Sequence, residues 1–97
     1  MRIIKKKTLI DFWTINKDSQ SHLESWYYEA KNADWNNPSE VKEKYSNASI
    51  IKAGRVVFNI KGNAYRLVVM IHYQSKIIFI RFIGTHEEYD KIDAESI

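Results

Sequence analysis

The sequence predicts an α+β fold: N-terminal helices packed on one face of a three- to four-stranded, mainly antiparallel sheet, with a short helix at the C-terminal end. Two observations carry this. Apolar residues recur at helical spacing up to about Tyr45, and from Arg55 onward they follow the pattern of strands. No repeat, low-complexity tract or linker divides the 97 residues, so residues 1–97 read as one domain around one core.

Arg2 to Lys5 fits a short extra strand. Leu9, Phe12 and Trp13 mark a first helix from roughly Lys6 to Asn16, with Thr8 and Asp11 as its start signal. Leu23, Trp26, Tyr27 and Ala30 mark a second from about Ser19 to Ala33, and Asn37-Pro38 opens a short third, since proline is well accepted in a first helical turn. These Trp, Phe and Tyr stripes are core. Strands follow over Arg55 to Lys61, Ala64 to Tyr73 and Ile77 to Gly84. Gly62-Asn63 and Gln74-Ser75 separate them as two-residue hairpin loops, giving a meander. After the last strand, Thr85 followed by Glu88 has the form of a capping box, so Thr85 is the N-cap and His86 the first residue of a new helix.

Two-residue loops set the register, placing Asn59 opposite Arg66 and Val68 opposite Arg81. One face then carries Val56, Phe58, Ile60, Tyr65, Leu67, Val69, Ile71, Tyr73, Ile78, Ile80 and Phe82, and must lie under the helices. The other carries Arg55, Asn59, Lys61, Arg66, His72 and Arg81 among Val57, Val68, Met70, Phe79 and Ile83. In this register Arg66 and Arg81 are diagonal neighbours at one end of the sheet, with Asn59 and Lys61, and the segment bearing His86 and Tyr89 passes the same end.

Such a set suits phosphodiester chemistry. Cleaving RNA through the neighbouring 2'-hydroxyl needs a base, cations for the charge developing on the phosphoryl oxygens, and an acid for the departing 5'-oxygen. Arg66 and Arg81 match phosphate geometry and stay charged. His86 and Tyr89 are the proton-transfer candidates, and Lys61, Asn59 and Asn63 the RNA-binding ones. A histidine at a helix start sits where phosphate is attracted; the plainer reading is a capped helix whose histidine only touches solvent.

Other classes fit less well. His22, His72 and His86 lack metal-ligand spacing and there is no cysteine, so neither a zinc site nor any other cofactor is expected. Asp90 and Asp93 read as ordinary surface, and His72, among apolar strand residues, as a partly buried structural residue. Walker, Gly-x-Ser-x-Gly and dinucleotide motifs are missing. A net charge of +3 permits a polyanionic partner without requiring one. No apolar run approaches a membrane span, the stretch Met1 to Lys7 lacks the apolar h-region of a signal peptide, and the lack of cysteine suits a reducing compartment; a cytoplasmic protein is expected.

The string Arg55-Val56-Val57-Phe58-Asn59-Ile60-Lys61-Gly62-Asn63-Ala64-Tyr65-Arg66-Leu67-Val68, then Ile80-Arg81-Phe82 and Gly84-Thr85-His86-Glu87-Glu88-Tyr89-Asp90, resembles the HigB toxins of bacterial type II toxin-antitoxin systems. Ala33-Asp34-Trp35 with Pro38 fits the same family. The resemblance implies a RelE-like fold, a ribosome-dependent mRNA interferase, and inhibition by a HigA-type antitoxin whose helix-turn-helix domain carries the complex to operator DNA. It also implies phosphate binding by Arg66 and catalysis by His86. Arg81 and Lys61 rest on geometry more than on the family. Two readings from other classes use the same basic face: an inert RNA- or ribosome-binding module, and a domain that docks only a protein.

Overall fold

The computed structural model describes residues 1–97, and its five-stranded mixed sheet has the order β1-β5-β4-β3-β2. In chain order the elements are β1 (Arg2–Ile4), α1 (Lys6–Ile15), a 3₁₀ turn (Lys17–Ser19), α2 (Gln20–Asn32), α3 (Pro38–Lys44), β2 (Ser49–Ile50), β3 (Arg55–Ile60), β4 (Tyr65–His72), β5 (Ile77–Thr85) and α4 (His86–Tyr89). The expected class holds, with one strand more than anticipated. β2 was missed because two exposed residues carry no alternation; as an edge strand it pairs only with Val56 and Val57. β1 is the parallel strand, Arg2 opposite Ile77 and Ile4 opposite Phe79.

The helices begin for different physical reasons. Asn37 caps α3 by accepting from the Glu40 amide at 3.0 Å, with Pro38 just inside. α1 does not use the Thr8 signal. It starts after Lys5, whose backbone is left-handed (φ 73°) and whose side chain makes no capping bond, because the chain must swing out of β1 directly into the helix. Burial of Leu9 and Trp13 holds α1 on the sheet, and Leu23, Trp26 and Ala30 do the same for α2. Trp26 and Phe58 meet edge to face at 5.4 Å, and Trp35 stacks on Phe58 at 6.4 Å.

Register decides what each sheet face presents. In the first hairpin Asn59 lies opposite Arg66 as expected, although the connection is four residues, Lys61 and Gly62 both having left-handed backbones. The second hairpin keeps the expected register from His72 opposite Ile77 up to Val69 opposite Ile80, and then breaks: Val68 pairs with Phe82, not Arg81. Arg81 is the extra residue of a β-bulge. Beyond it the two faces exchange. Ile83, expected outside, packs on the main core, whereas Phe82, expected under the helices, packs on the opposite face.

That opposite face has its own small core. Val57, Val68 and Ala94 are buried there, covered by Tyr89, Ile92 and Ile97 of the C-terminal segment, and Arg55 donates through Nε and Nη2 to the Ile97 backbone oxygen at 3.0 and 2.6 Å. No helix is long and apolar enough to cross a membrane.

Candidate functional site

At the end of the sheet where β4 begins and β5 finishes, Arg66 has Asn59 on one side and Gly84 on the other. Arg66 is half-buried, and its guanidinium meets no carboxylate. Nη1 donates to the carbonyl oxygens of Asn63 at 3.1 Å and Tyr65 at 3.5 Å, which leaves a fixed cation with donors to spare. Gly84 is required by crowding, since a β-carbon there would sit 2.5 Å from Phe82 Cζ. The Phe82 ring thus crosses over Gly84 beside Arg66.

The chain leaves this end through the expected capping box. Thr85 N donates to Glu88 Oε1 at 2.8 Å, and Glu88 N to Thr85 Oγ1 at 3.1 Å. His86 is therefore held at an exposed helix start one residue beyond Thr85, with about half of its side chain in solvent (53%). Its Nδ1 lies 3.1 Å from Asp90 Oδ2, which leaves Nε2 as the ring nitrogen without a partner. Asp90, read as ordinary surface from sequence, is the one acidic group against His86; its i,i+4 spacing was the available signal. Tyr89 is half-buried, its ring packed on the small outer core.

The structure therefore brings together Arg66, Asn59, Asn63, His86 and Tyr89 at one end, and separates two residues from them. Lys61 turns to the helical side. Its Nζ donates to Asp18 Oδ2 at 2.6 Å while the Tyr65 hydroxyl donates to Asp18 Oδ1 at 2.6 Å. The Lys61 and Tyr65 bonds hold the Asp18 carboxyl below its usual value, and the Asp18 bond raises the Tyr65 phenol. The expected Lys61 on the outer face fails because β3 ends at Ile60 and Lys61 has φ 53°. Asp18 is 43 residues from Lys61, and no local pattern signals that bond. Arg81, the bulge residue, is not diagonal to Arg66. Its guanidinium lies over the Phe79 ring, 5.5 Å from the centroid, in the row where Phe79 pairs with Met70. Counted along β4, Met70 is roughly 13 Å from Arg66.

His72 is not the partly buried residue expected. It is exposed, with Nδ1 2.5 Å from Ser75 Oγ. No three His, Cys, Asp or Glu side chains are grouped so as to hold a metal ion. The largest cleft, about 390 Å³, opens on the helical side between α2 and the β3–β4 turn, bordered by His22, Trp26, Tyr45, Asn59 and Lys61; His86, Arg66, Arg81 and Tyr89 stand outside it.

Comparison with known proteins agrees with the sequence resemblance. Residues 19–92 match the model of the HigB toxin, a RelE-like toxic component of a toxin-antitoxin system. The chain is 31% identical over 72 residues to an mRNA interferase HigB of Escherichia coli O6:H1, covering 72% of this chain and 70% of that protein. It is also 47% identical over 34 residues to the mRNA interferase toxin HigB of Escherichia coli K12 and to an mRNA interferase HigB of Shigella flexneri, a match spanning 35% of this chain and 33% of each relative.

Proposed function

This chain belongs to the HigB family of RelE-like toxins, and from that premise we propose that it is a single-domain, cytoplasmic endoribonuclease that cleaves mRNA on the ribosome and so stops translation. One observation carries the reading: His86, fixed by the capping box at an exposed helix start, leaves the sheet right after Thr85, two residues beyond Gly84, the pairing partner of Arg66. An open surface rather than a pocket suits a polymeric substrate presented by a larger particle.

In this mechanism Arg66 holds the scissile phosphate, with Asn59 and Asn63 beside it. The neighbouring 2'-hydroxyl attacks phosphorus as its proton passes to a base, the bond to the 5'-oxygen breaks, and that oxygen takes a proton from an acid. The products are a 2',3'-cyclic phosphate and a 5'-hydroxyl. His86, oriented by Asp90 through Nδ1, offers Nε2 for one of the two proton transfers, and the Tyr89 hydroxyl is the candidate for the other. Each charge and proton task thus has a side chain and none is left for a cofactor. Isolated RNA should be cut poorly, since few groups are available to orient it and the ribosome supplies the alignment. The partner that silences the chain is a HigA-type helix-turn-helix antitoxin, which carries the pair to operator DNA.

The test is a reconstituted translation reaction programmed with a defined mRNA, followed by end mapping. Cleavage with a 5'-hydroxyl product is expected, together with its loss when the nucleotide before the cut carries 2'-deoxyribose. Intact mRNA, with protein bound to the ribosome, would establish an inert binding module instead.

A further inference from the structure

β1, β3, β4 and β5 contain Arg2, Arg55, Arg66 and Arg81 and no Asp or Glu. Arg66 stands on the outer face, Arg55 reaches the C-terminal segment there, and Arg81 lies over Phe79. Arg2 pairs with Ile77 and is the strand neighbour of Ile3, which faces the main core, so alternation places Arg2 outward too. The strands thus give this sheet face positive charge and no acidic residue of their own.

The C-terminal segment covers only the half of this face over Val57 and Val68. The other half carries Ile4, Phe79 and Met70 in one row, with Ile77 and Arg2 in the next. Ile4, Met70, Ile77 and Phe79 are all half-exposed and belong to neither core cluster. Arg81 is exposed, makes no ion pair, and lies over Phe79 at the bulge, out of register with Val68.

We propose that this uncovered half is a binding track for single-stranded RNA, with a base stacking on the Phe79–Arg81 pair and an adjacent phosphate neutralised by Arg81. The proposal rests on the nuclease reading above and extends it: Arg81 grips nucleotides away from the scissile phosphate rather than stabilising its charge. A half-exposed apolar strip flanked by arginines, on strands without Asp or Glu, fits stacked bases and a polyanionic backbone, because every base offers a π-face and guanidinium suits phosphate. A protein partner would have to bury these cations against matching acids.

The test uses the full chain and a short fluorescein-labelled 2'-O-methyl oligoribonucleotide, which lacks the attacking hydroxyl, with binding followed by anisotropy. Arg81→Ala and Phe79→Leu should each weaken binding roughly tenfold, within the range of one lost base stack. Arg81→Ala should also flatten the salt dependence by about 0.7 in log K against log salt, while Phe79→Leu leaves that slope unchanged. On cleavable RNA both variants should raise KM far more than they lower kcat. Wild-type affinity in both variants, or polyglutamate binding wild type as tightly as the RNA does, would overturn the track. Cleavage is read separately. RNA binding that depends on both residues in a chain that cuts nothing would sink the nuclease reading alone, and cleavage with variant-independent binding would sink the track alone.

Discussion

Gly84→Ala tests how packing on the outer face positions the helix start. The added methyl would lie 2.5 Å from Phe82 Cζ and 3.1 Å from Glu88 Oε1. The ring cannot simply withdraw, because it packs on Val57, Val68 and Ala94. Overfilling such a site costs about 1–3 kcal/mol, and the smaller entropy lost on folding by alanine offsets about 0.5–1 kcal/mol of that. The net loss is then about 1–2 kcal/mol, which for a domain of this size lowers Tm by roughly 5–15 °C. Thermal unfolding followed by circular dichroism measures it. A double-mutant cycle with Phe82→Leu assigns the cause: without the ring tip, Gly84→Ala should cost less than half as much. An unchanged Tm, or the same cost in both backgrounds, would refute the claim that the Phe82 ring excludes a side chain at 84.

Three further outcomes are expected. Thr85→Ala removes one arm of the capping box and should cost about 1 kcal/mol, seen as a lower denaturation midpoint with faster exchange of the Glu88 amide. Asp18→Asn should destabilise the chain at neutral pH by loosening the β3–β4 turn from the 3₁₀ turn. Because Asp18 is held below its ordinary 3.8 by Lys61 and Tyr65, its contribution is present above that value and fades as pH falls through the lowered one, so urea midpoints of wild type and variant should converge in acid. His86→Ala should reduce cleavage by about 100- to 10,000-fold while Tm and antitoxin binding hold, as expected for a side chain half in solvent; full growth arrest by this variant would take His86 out of the mechanism.

The elements were legible where one local cause sufficed. Asn37-Pro38 and Thr85…Glu88 are caps made by neighbours in sequence, and both form as written. The apolar face of β3 and β4 was legible because alternation survives a change in loop length: a four-residue turn with left-handed Lys61 and Gly62 gives the same Asn59–Arg66 pairing as a two-residue one. What failed depended on tertiary context. Nothing near Lys5 announces a helix start by a left-handed residue, and the lock of Lys61 to Asp18 joins residues that only folding brings together.

The bulge at Arg81 is the most consequential of these, because its cause is two-sided. In Ile80-Arg81-Phe82-Ile83 strict alternation would put Phe82 under the helices and Ile83 in the open. Yet the C-terminal segment builds a second core on the far face, and Phe82 fills it beside Val57 and Val68 while Ile83 joins the main one. Neighbouring strand residues already point to opposite faces; the one extra residue exchanges which of the two meets which core, and the residue gained is the charged one. Arg81 is thereby excluded from both cores and released toward Phe79. If the bulge exists to send Phe82 rather than Ile83 to the second core, removing that core should relax it. Truncation before Ala94 should therefore restore the regular pairing of Val68 with Arg81, detectable as a cross-strand Hα contact between them by NMR; persistence of the Val68–Phe82 pairing in a folded truncated chain would show that the bulge has another cause.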